Sequence, residues 1–364
     1  MAFNRDNWYF NSGDTNVNAT NYTIPLSAIS GDAFARGISN ILTVGGLPTI
    51  TGLGYPSGTL YSTQTRQWYA DGVPVAGETG STYVVKLNDI GRIVGQGPIS
   101  GSKTIWHPRD IPGVCGVYTA NSGILNASGV PCVDGEAVLT WMDQSYYGYN
   151  LFQNVVASRP LAQINEIANY NTVQFDAVND YFNFPTGAYN NFRNRSNGYI
   201  VAGVSDINRT GGTATHYVAQ FTTPSGGTAS RIALVTRGGG DNFRAQGKTF
   251  DTDAGVSSAS VASADGYFVL TNEMIWNSGI MRLRRNGSQP GLDTNLVGTG
   301  NTTDTPSSTG NVGVGNATSY FPGHISTLIF ASPTGVWTPA QRSQIERFVG
   351  MGIGVDVPLT GTLP

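Results

Sequence analysis

Trp141-Met142-Asp143-Gln144-Ser145 and, about thirty residues on, Val173-Gln174-Phe175-Asp176-Ala177-Val178-Asn179-Asp180-Tyr181-Phe182 decide how this chain is read. Each stretch reads as a strand that ends in a polar turn. Runs of the same kind continue downstream. Gly198–Val204, His216–Phe221, Ser230–Val235, Gly266–Asn272 and Ile280–Arg285 are strand-like, and Arg285-Asn286-Gly287 carries the Asn-Gly pair of a tight hairpin. Val312-Gly313-Val314-Gly315 then leads to an apolar run, Phe321–Phe330. Thr338-Pro339-Ala340-Gln341 is an N-cap, a Pro at the first helical position and a Gln that closes a capping box. It predicts one helix with Ile345, Phe348 and Val349 on its apolar stripe, ending at Gly350 or Gly352.

Composition agrees with an all-β chain. Gly is 48 of 364 residues, and charged residues are only 12%, about half the usual share. Gly supplies positive φ, and Asn or Asp side chains close turns. The net charge is −3, and the densest basic stretch, Arg282–Arg285, lies inside a strand-like run. A nucleic-acid groove needs a broad basic field, so nucleic acid is not an expected partner. No run reaches the ~20 apolar residues that span a bilayer, so a membrane is not expected either. The N-terminus, Met-Ala-Phe-Asn-Arg-Asp-Asn-Trp-Tyr-Phe, has no apolar core segment of a signal peptide.

Four segments are expected. Residues 1–45 hold short apolar clusters and form either a docking arm on a neighbouring subunit or strands laid on the next domain. Residues 46–101 contain Gln67-Trp68-Tyr69-Ala70-Asp71-Gly72-Val73-Pro74, then Tyr83 and Asn88-Asp89-Ile90-Gly91: a strand, an Asp-Gly turn, a return strand and a further strand. The stretch resembles half of a small immunoglobulin-like module of phage and bacterial surface proteins. Such modules are spacers, and Trp68 and Tyr83 are expected in its core. Residues 102–357 form the large domain, and 358–364 a tail.

The large domain resembles the concanavalin A-like, or laminin-G-like, jelly rolls of phage and bacterial surface proteins. The resemblance rests on the Trp-x-Asp-x-Ser segment at 141–145, on Phe175-Asp176-x-x-Asn179-Asp180-Tyr181, on the final long strand and on the terminal helix. The family's usual Gly-Asn-Gly after the first motif is replaced here by Tyr146-Tyr147-Gly148-Tyr149-Asn150. The resemblance implies an all-β protein: a small immunoglobulin-like sandwich, then a concanavalin A-like jelly roll with one C-terminal helix. It also implies a phage virion protein displayed on the particle surface, assembled in the host cytoplasm. A capsid decoration or head-fibre role is expected first. A tail or baseplate receptor-binding adhesin is the alternative. Other virion proteins, met through residues 1–45, and further copies of the chain are the expected partners, with host surface glycans as ligands.

No catalytic residues are expected. Glycoside hydrolysis needs two opposed carboxyls. The five glutamates, Glu78, Glu136, Glu166, Glu273 and Glu346, are scattered. Asp251 and Asp253 sit in a Gly- and Ser-rich segment that reads as a loop. For glycans, exposed aromatics beside amides are the candidates: Tyr146, Tyr147, Tyr149 and Asn150 first, then Tyr189, Asn190 and Arg193. The same residues equally suit a subunit contact. Calcium is the one candidate cofactor, as laminin-G-like domains often hold an ion at the rim. Asp176, Asn179 and Asp180 would be its ligands, or they satisfy their own turn. Cys115 and Cys132 form either a disulfide, if their flanks pair as antiparallel strands, or two buried thiols. The bridge would be worth about 3 kcal/mol.

Overall fold

The computed structural model describes residues 107–358, apart from 168–169, 207–214, 224–229, 237–241, 254–256, 263–265, 290–292, 297 and 316–318. Of residues 1–106 it describes the backbone of short strands only. The chain divides into two compact units, Met1–His107 and Pro108–Pro364. In the first, Thr23–Pro25 (β1), Thr49–Thr51 (β2) and Thr82–Val84 (β5) make one small sheet. Gln67–Ala70 (β3), Val73–Pro74 (β4) and Val94–Gly97 (β6) make another. Pairing of Ala70 with Val73 leaves Asp71-Gly72 as the two-residue connection. The side chains expected in this unit's core, Trp68 and Tyr83, lie outside the described residues.

The second unit is an antiparallel two-sheet sandwich with one helix among its described residues. Its strands, in chain order, begin with Val114–Thr119 (β7), Ile124–Leu125 (β8), Thr140–Trp141 (β9), Leu151–Phe152 (β10), Leu161–Ile167 (β11) and Tyr170–Asp176 (β12). Phe182–Asn183 (β13), Asn197–Asp206 (β14), His216–Thr222 (β15), Ser230–Thr236 (β16), Asn242–Gly247 (β17) and Ser257–Ala262 (β18) follow. Gly266–Ile275 (β19), Ile280–Arg285 (β20), Thr294–Asn295 (β21), Gly310–Val312 (β22), Val314–Gly315 (β23), Ser319–Tyr320 (β24) and Pro322–Ala331 (β25) complete the set. One sheet runs β18-β17-β16-β15-β22-β13-β10-β9-β8. The other runs β11-β12-β25-β14-β19-β20-β21, with β7 also on β25. The chain thus crosses between the sheets in short runs of consecutive strands, and the first and last long strands, β7 and β25, lie side by side.

β14 and β25 are apolar almost throughout because both of their faces are covered. Ile200, Ala202, Val204, Leu328 and Phe330 enter the core between the sheets. There Phe184 meets Phe221 at 4.7 Å and Phe330 at 5.0 Å, tying the two sheets together; such ring pairs add about 0.5–1.5 kcal/mol each beyond their buried area. The alternate residues face helix α1, Pro339–Met351. Its predicted capping box is present: Thr338 accepts from the Gln341 amide, and Gln341 accepts from the Thr338 amide. Ile345, Phe348 and Val349 are buried. A buried ion pair fastens the helix, since Glu346 accepts from Arg284 at 2.8 Å and from the Thr271 hydroxyl at 2.9 Å. Asn286 and Gly287 both have positive φ, 51° and 77°. This is the backbone a two-residue hairpin demands.

The cysteine flanks do not pair with one another, which corrects the disulfide alternative. β7, carrying Cys115, pairs with β25 in one sheet. Cys132 returns its amide to Ile124 of β8, in the other sheet. Both are free, buried thiols. Burial pushes Cys115 up to about 12 and Cys132 up to about 11.

Candidate functional site

The loop between β9 and β10 is built around one buried carboxylate. Asp143 follows the fully buried Trp141, so its side chain is carried inward with the strand end. Oδ1 accepts the amides of Val117, at 2.9 Å, and Ser145, at 2.8 Å. Oδ2 accepts the Ser145 hydroxyl at 2.7 Å and the Tyr149 amide at 2.8 Å. The Asp143 amide in turn donates to Asn150 Oδ1 at 2.9 Å. Gln144 Nε2 donates to Thr119 Oγ1 at 2.8 Å. The motif is therefore a clamp that fixes the loop to β7.

This clamp holds the tyrosines outward. Tyr146 is 72% exposed and Tyr147 54%. Tyr146 donates to Asp110 Oδ1 at 2.9 Å, and this bond holds its phenol above the ordinary range. The Arg109 guanidinium lies 5.3 Å from its ring centre. Tyr147 and Tyr149 rings are 5.6 Å apart and tilted by 32°. Tyr149 is half-buried and packs on Gly187, where a Cβ would come within 2.8 Å of its ring. Gly187 belongs to the 3-10 turn Thr186–Asn190. The two candidate loops are thus neighbours.

The remaining candidates differ in availability. Tyr189 is half-buried against the core, and burial raises its phenol pKa. Asn190 is exposed, with Nδ2 3.5 Å from the Gly187 carbonyl. Arg193 is exposed and bonds Asp304 at 2.7 Å. Asn150 is exposed, but its Oδ1 is committed to Asp143.

In the second quoted stretch, Asp176 Oδ1 accepts the amides of Val178, Asn179 and Asp180 at 2.8, 3.1 and 3.3 Å. Asp180 Oδ2 accepts the Asp176 amide at 3.1 Å. These carboxylates are occupied by turn backbone, and Ala177 is held at φ 65°. Among the described residues no group of three or more His, Cys, Asp or Glu is arranged to hold a metal ion. Burial, with Asp176 close by, pushes Asp180 up to about 7. Asp251 and Glu273 are engaged in the same structural way. Asp251 pairs with the fully buried Arg231 at 2.8 Å. Glu273 lies under α1 with Tyr199 at 3.2 Å and Arg342 at 3.2 Å.

A second polar feature was not visible in the sequence. Directly paired residues share a sheet face, and the register places Ser258, Gln246, Ala233, Gln220, Asn311, Asn183, Phe152 and Thr140 in one row across the nine-stranded sheet. The row holds four carboxamides on the face turned away from the core. Asn311 Nδ2 donates to Asn183 Oδ1 at 3.0 Å, and Gln220 Nε2 donates to Ser230 Oγ at 2.9 Å. Its last members, Phe152 and Thr140, are paired with each other in the two short strands that the tyrosine loop joins, one residue from that loop. The only local signal was a polar amide at alternate strand positions.

No protein-family model matches the sequence. No curated protein matches it either. Several solved structures are distantly alike in fold. The binding domain of botulinum neurotoxin serotype D has a TM-score of 0.44 at 10% identity, over 67% of this chain and 52% of that one. The receptor binding domain of botulinum neurotoxin mosaic serotype C/D has 0.42 at 12%, over 63% and 49%. A Trypanosoma rangeli sialidase has 0.41 at 14%, over 65% and 33%. The chain therefore spans between a third and about half of the length of these neighbours.

Proposed function

We propose that this chain is a display protein of a phage virion and that its sandwich binds carbohydrate through the tyrosine rim. The observation that carries the binding half is the pair Tyr146 and Tyr147, exposed on a loop whose backbone is fixed by Asp143. A flat aromatic face held in place loses little entropy when a sugar ring stacks on it. Arg109, Asp110 and Asn190 supply hydrogen-bonding groups to the hydroxyls around such a ring. The virion half is supported by the two sequence motifs and their resemblance to phage surface jelly rolls. In this reading residues 1–45 dock on other virion proteins.

A glycan array probed with the full chain tests the binding half. Sugar-specific retention that falls about tenfold or more in Tyr146→Ala/Tyr147→Ala, at unchanged melting temperature, is expected. Retention equal in the variant refutes the rim, and no retention on any sugar refutes the ligand class. Copy counting and immunogold labelling of particles test the virion half. Hundreds of copies on the head mark a decoration protein, and a few at the tail tip mark the adhesin alternative. Absence from particles refutes both.

A further inference from the structure

Every open sheet has edges, and an unguarded edge strand offers its free backbone groups to another strand. Three of the sandwich's edge strands, β8, β21 and β11, are guarded. At one end of the nine-stranded sheet β8 has two residues, and the 126–132 turn folds back on it through Leu125–Pro131 and the Cys132 amide. In the eight-stranded sheet β21 also has two residues. β11 is broken in register between Gln163 and Ile167, with Asn165 at φ 59°. Its outer side is taken by residues 134–136: Gly135 donates to the Ala162 carbonyl, Ala162 donates to the Glu136 carbonyl, and the Ile164 amide donates to Asp134.

Among the described residues, the edge strand β18 has none of these protections. It pairs with β17 over all six residues without a bulge. Its sequence, Ser-Ser-Ala-Ser-Val-Ala, contains no charge and no Pro. Ala259 enters the core, while Ser258 and Ser260 are exposed on the sheet's outer face. Alternate residues of an antiparallel edge strand point N–H and C=O away from their partner. The Arg285 guanidinium, from β20, bonds the Ala262 carbonyl at 3.0 Å.

We propose that β18 is a self-association edge: two copies of the chain pair β18 to β18, antiparallel about a two-fold axis, and continue the nine-stranded sheet from one molecule into the next. A second copy is the occupant this strand fits. With no charge and only small outward side chains, self-pairing sets neither like charges nor bulky groups opposite one another. Each sheet face must stay continuous, so the two-fold passes through a residue and not between two. Arg285 occupies the Ala262 end, which leaves the axis at Ala259 and sets Ser258 of each copy opposite Ser260 of the other. The pairing does not depend on carbohydrate binding.

Sedimentation equilibrium on the full chain tests it. The wild type dimerises, and Ser258→Lys/Ser260→Lys, which places like charges opposite one another, weakens dimerisation about tenfold or more. Val178→Lys, an exposed charge in the 177–180 turn, leaves it unchanged. In Ser258→Cys/Ser260→Cys, mild oxidation links two chains across the pair, because directly opposed strand residues lie within disulfide reach. A wild type that is monomeric at every concentration overturns the proposal. So does a dimer indifferent to the lysines, a Val178→Lys effect of equal size, or a cysteine variant that gives no linked dimer.

Discussion

Replacing Asp143 is the sharpest test of how the tyrosine rim is held. In Asp143→Ala four hydrogen bonds to a charged acceptor disappear: those of the Val117 amide, the Ser145 amide and hydroxyl, and the Tyr149 amide. The Ser145 and Tyr149 groups lie near solvent and regain water. The Val117 amide is buried, and leaving it unpaired costs about 1–3 kcal/mol. Adding the net loss of the other bonds brings the expected destabilisation to about 3–5 kcal/mol. Asp143→Asn separates the contributions. Its carbonyl keeps the Val117 and Ser145 amides, and the Ser145 hydroxyl turns to accept. Its NH2 then faces the Tyr149 amide, donor against donor, for a cost of about 1–3 kcal/mol. Urea unfolding at constant slope reads both values. Amide exchange locates them: the alanine variant exposes Val117, Ser145 and Tyr149, the asparagine variant Tyr149 alone. A loss below about 1 kcal/mol in Asp143→Ala, or exposure of Val117 in both variants, refutes the clamp.

Asp180→Asn removes a carboxyl that burial holds at about 7. A carboxyl raised on folding takes stability away as pH climbs from the ordinary carboxylate range through that value, so the variant melts above wild type at pH 8 and level with it at pH 4. The opposite order in a pH series of melts contradicts the buried acid. Glu346→Ala leaves Arg284 buried without its partner and costs about 3–5 kcal/mol, whereas Arg284→Met/Glu346→Leu recovers most of the loss in urea titrations. Gly187→Ala sets a Cβ against the Tyr149 ring; the ring swings away at a cost of about 1 kcal/mol or less, the near-UV circular dichroism of the tyrosines changes, and any glycan affinity falls.

The apolar strands and the helix were legible because their signals are local. β14 and β25 are long apolar runs, and Thr338, Pro339 and Gln341 write the helix start within four residues. β17 and β18 were not legible. Asn-Phe-Arg-Ala-Gln-Gly and Ser-Ser-Ala-Ser-Val-Ala alternate correctly, but their outward residues are polar or small and read as loop. The Cys115 and Cys132 flanks looked fit to pair, yet Cys115 sits on a strand partnered by β25, far downstream in sequence, and the Cys132 flank folds back on β8; pairing is set by the register each flank finds and not by their nearness to one another. The same holds for the amide row. Asn183, Gln220, Gln246 and Asn311 are ordinary strand residues until the register aligns them. At the rim, the exposed tyrosines were legible as loop aromatics. The commitment of Asn150 and the partial burial of Tyr149 and Tyr189 were not, because both depend on what lies beneath them.

The two quoted stretches use the same chemistry for one end. Asp143 and Asp176 each gather backbone amides onto a carboxylate where a strand must stop, and neither is left free to bind a ligand. The outer face of the eight-stranded sheet is likewise spent, covered by α1 and sealed by Glu346–Arg284 and Glu273–Arg342. Farther along the amide row Gln220 and Ala233 are buried. Within the described sandwich this leaves the rim tyrosines and, on the outer face of the nine-stranded sheet, the half-buried Asn183 and Asn311 next to them for contact with other molecules. They are continuous in the chain, because the tyrosine loop joins the strands that end the amide row. A ligand longer than one sugar would therefore meet aromatic faces at the rim and then the Asn183 and Asn311 carboxamides. Affinity should rise with oligosaccharide length, and Asn311→Ala should weaken long glycans while sparing a monosaccharide. Equal losses for both lengths would place the whole site at the rim.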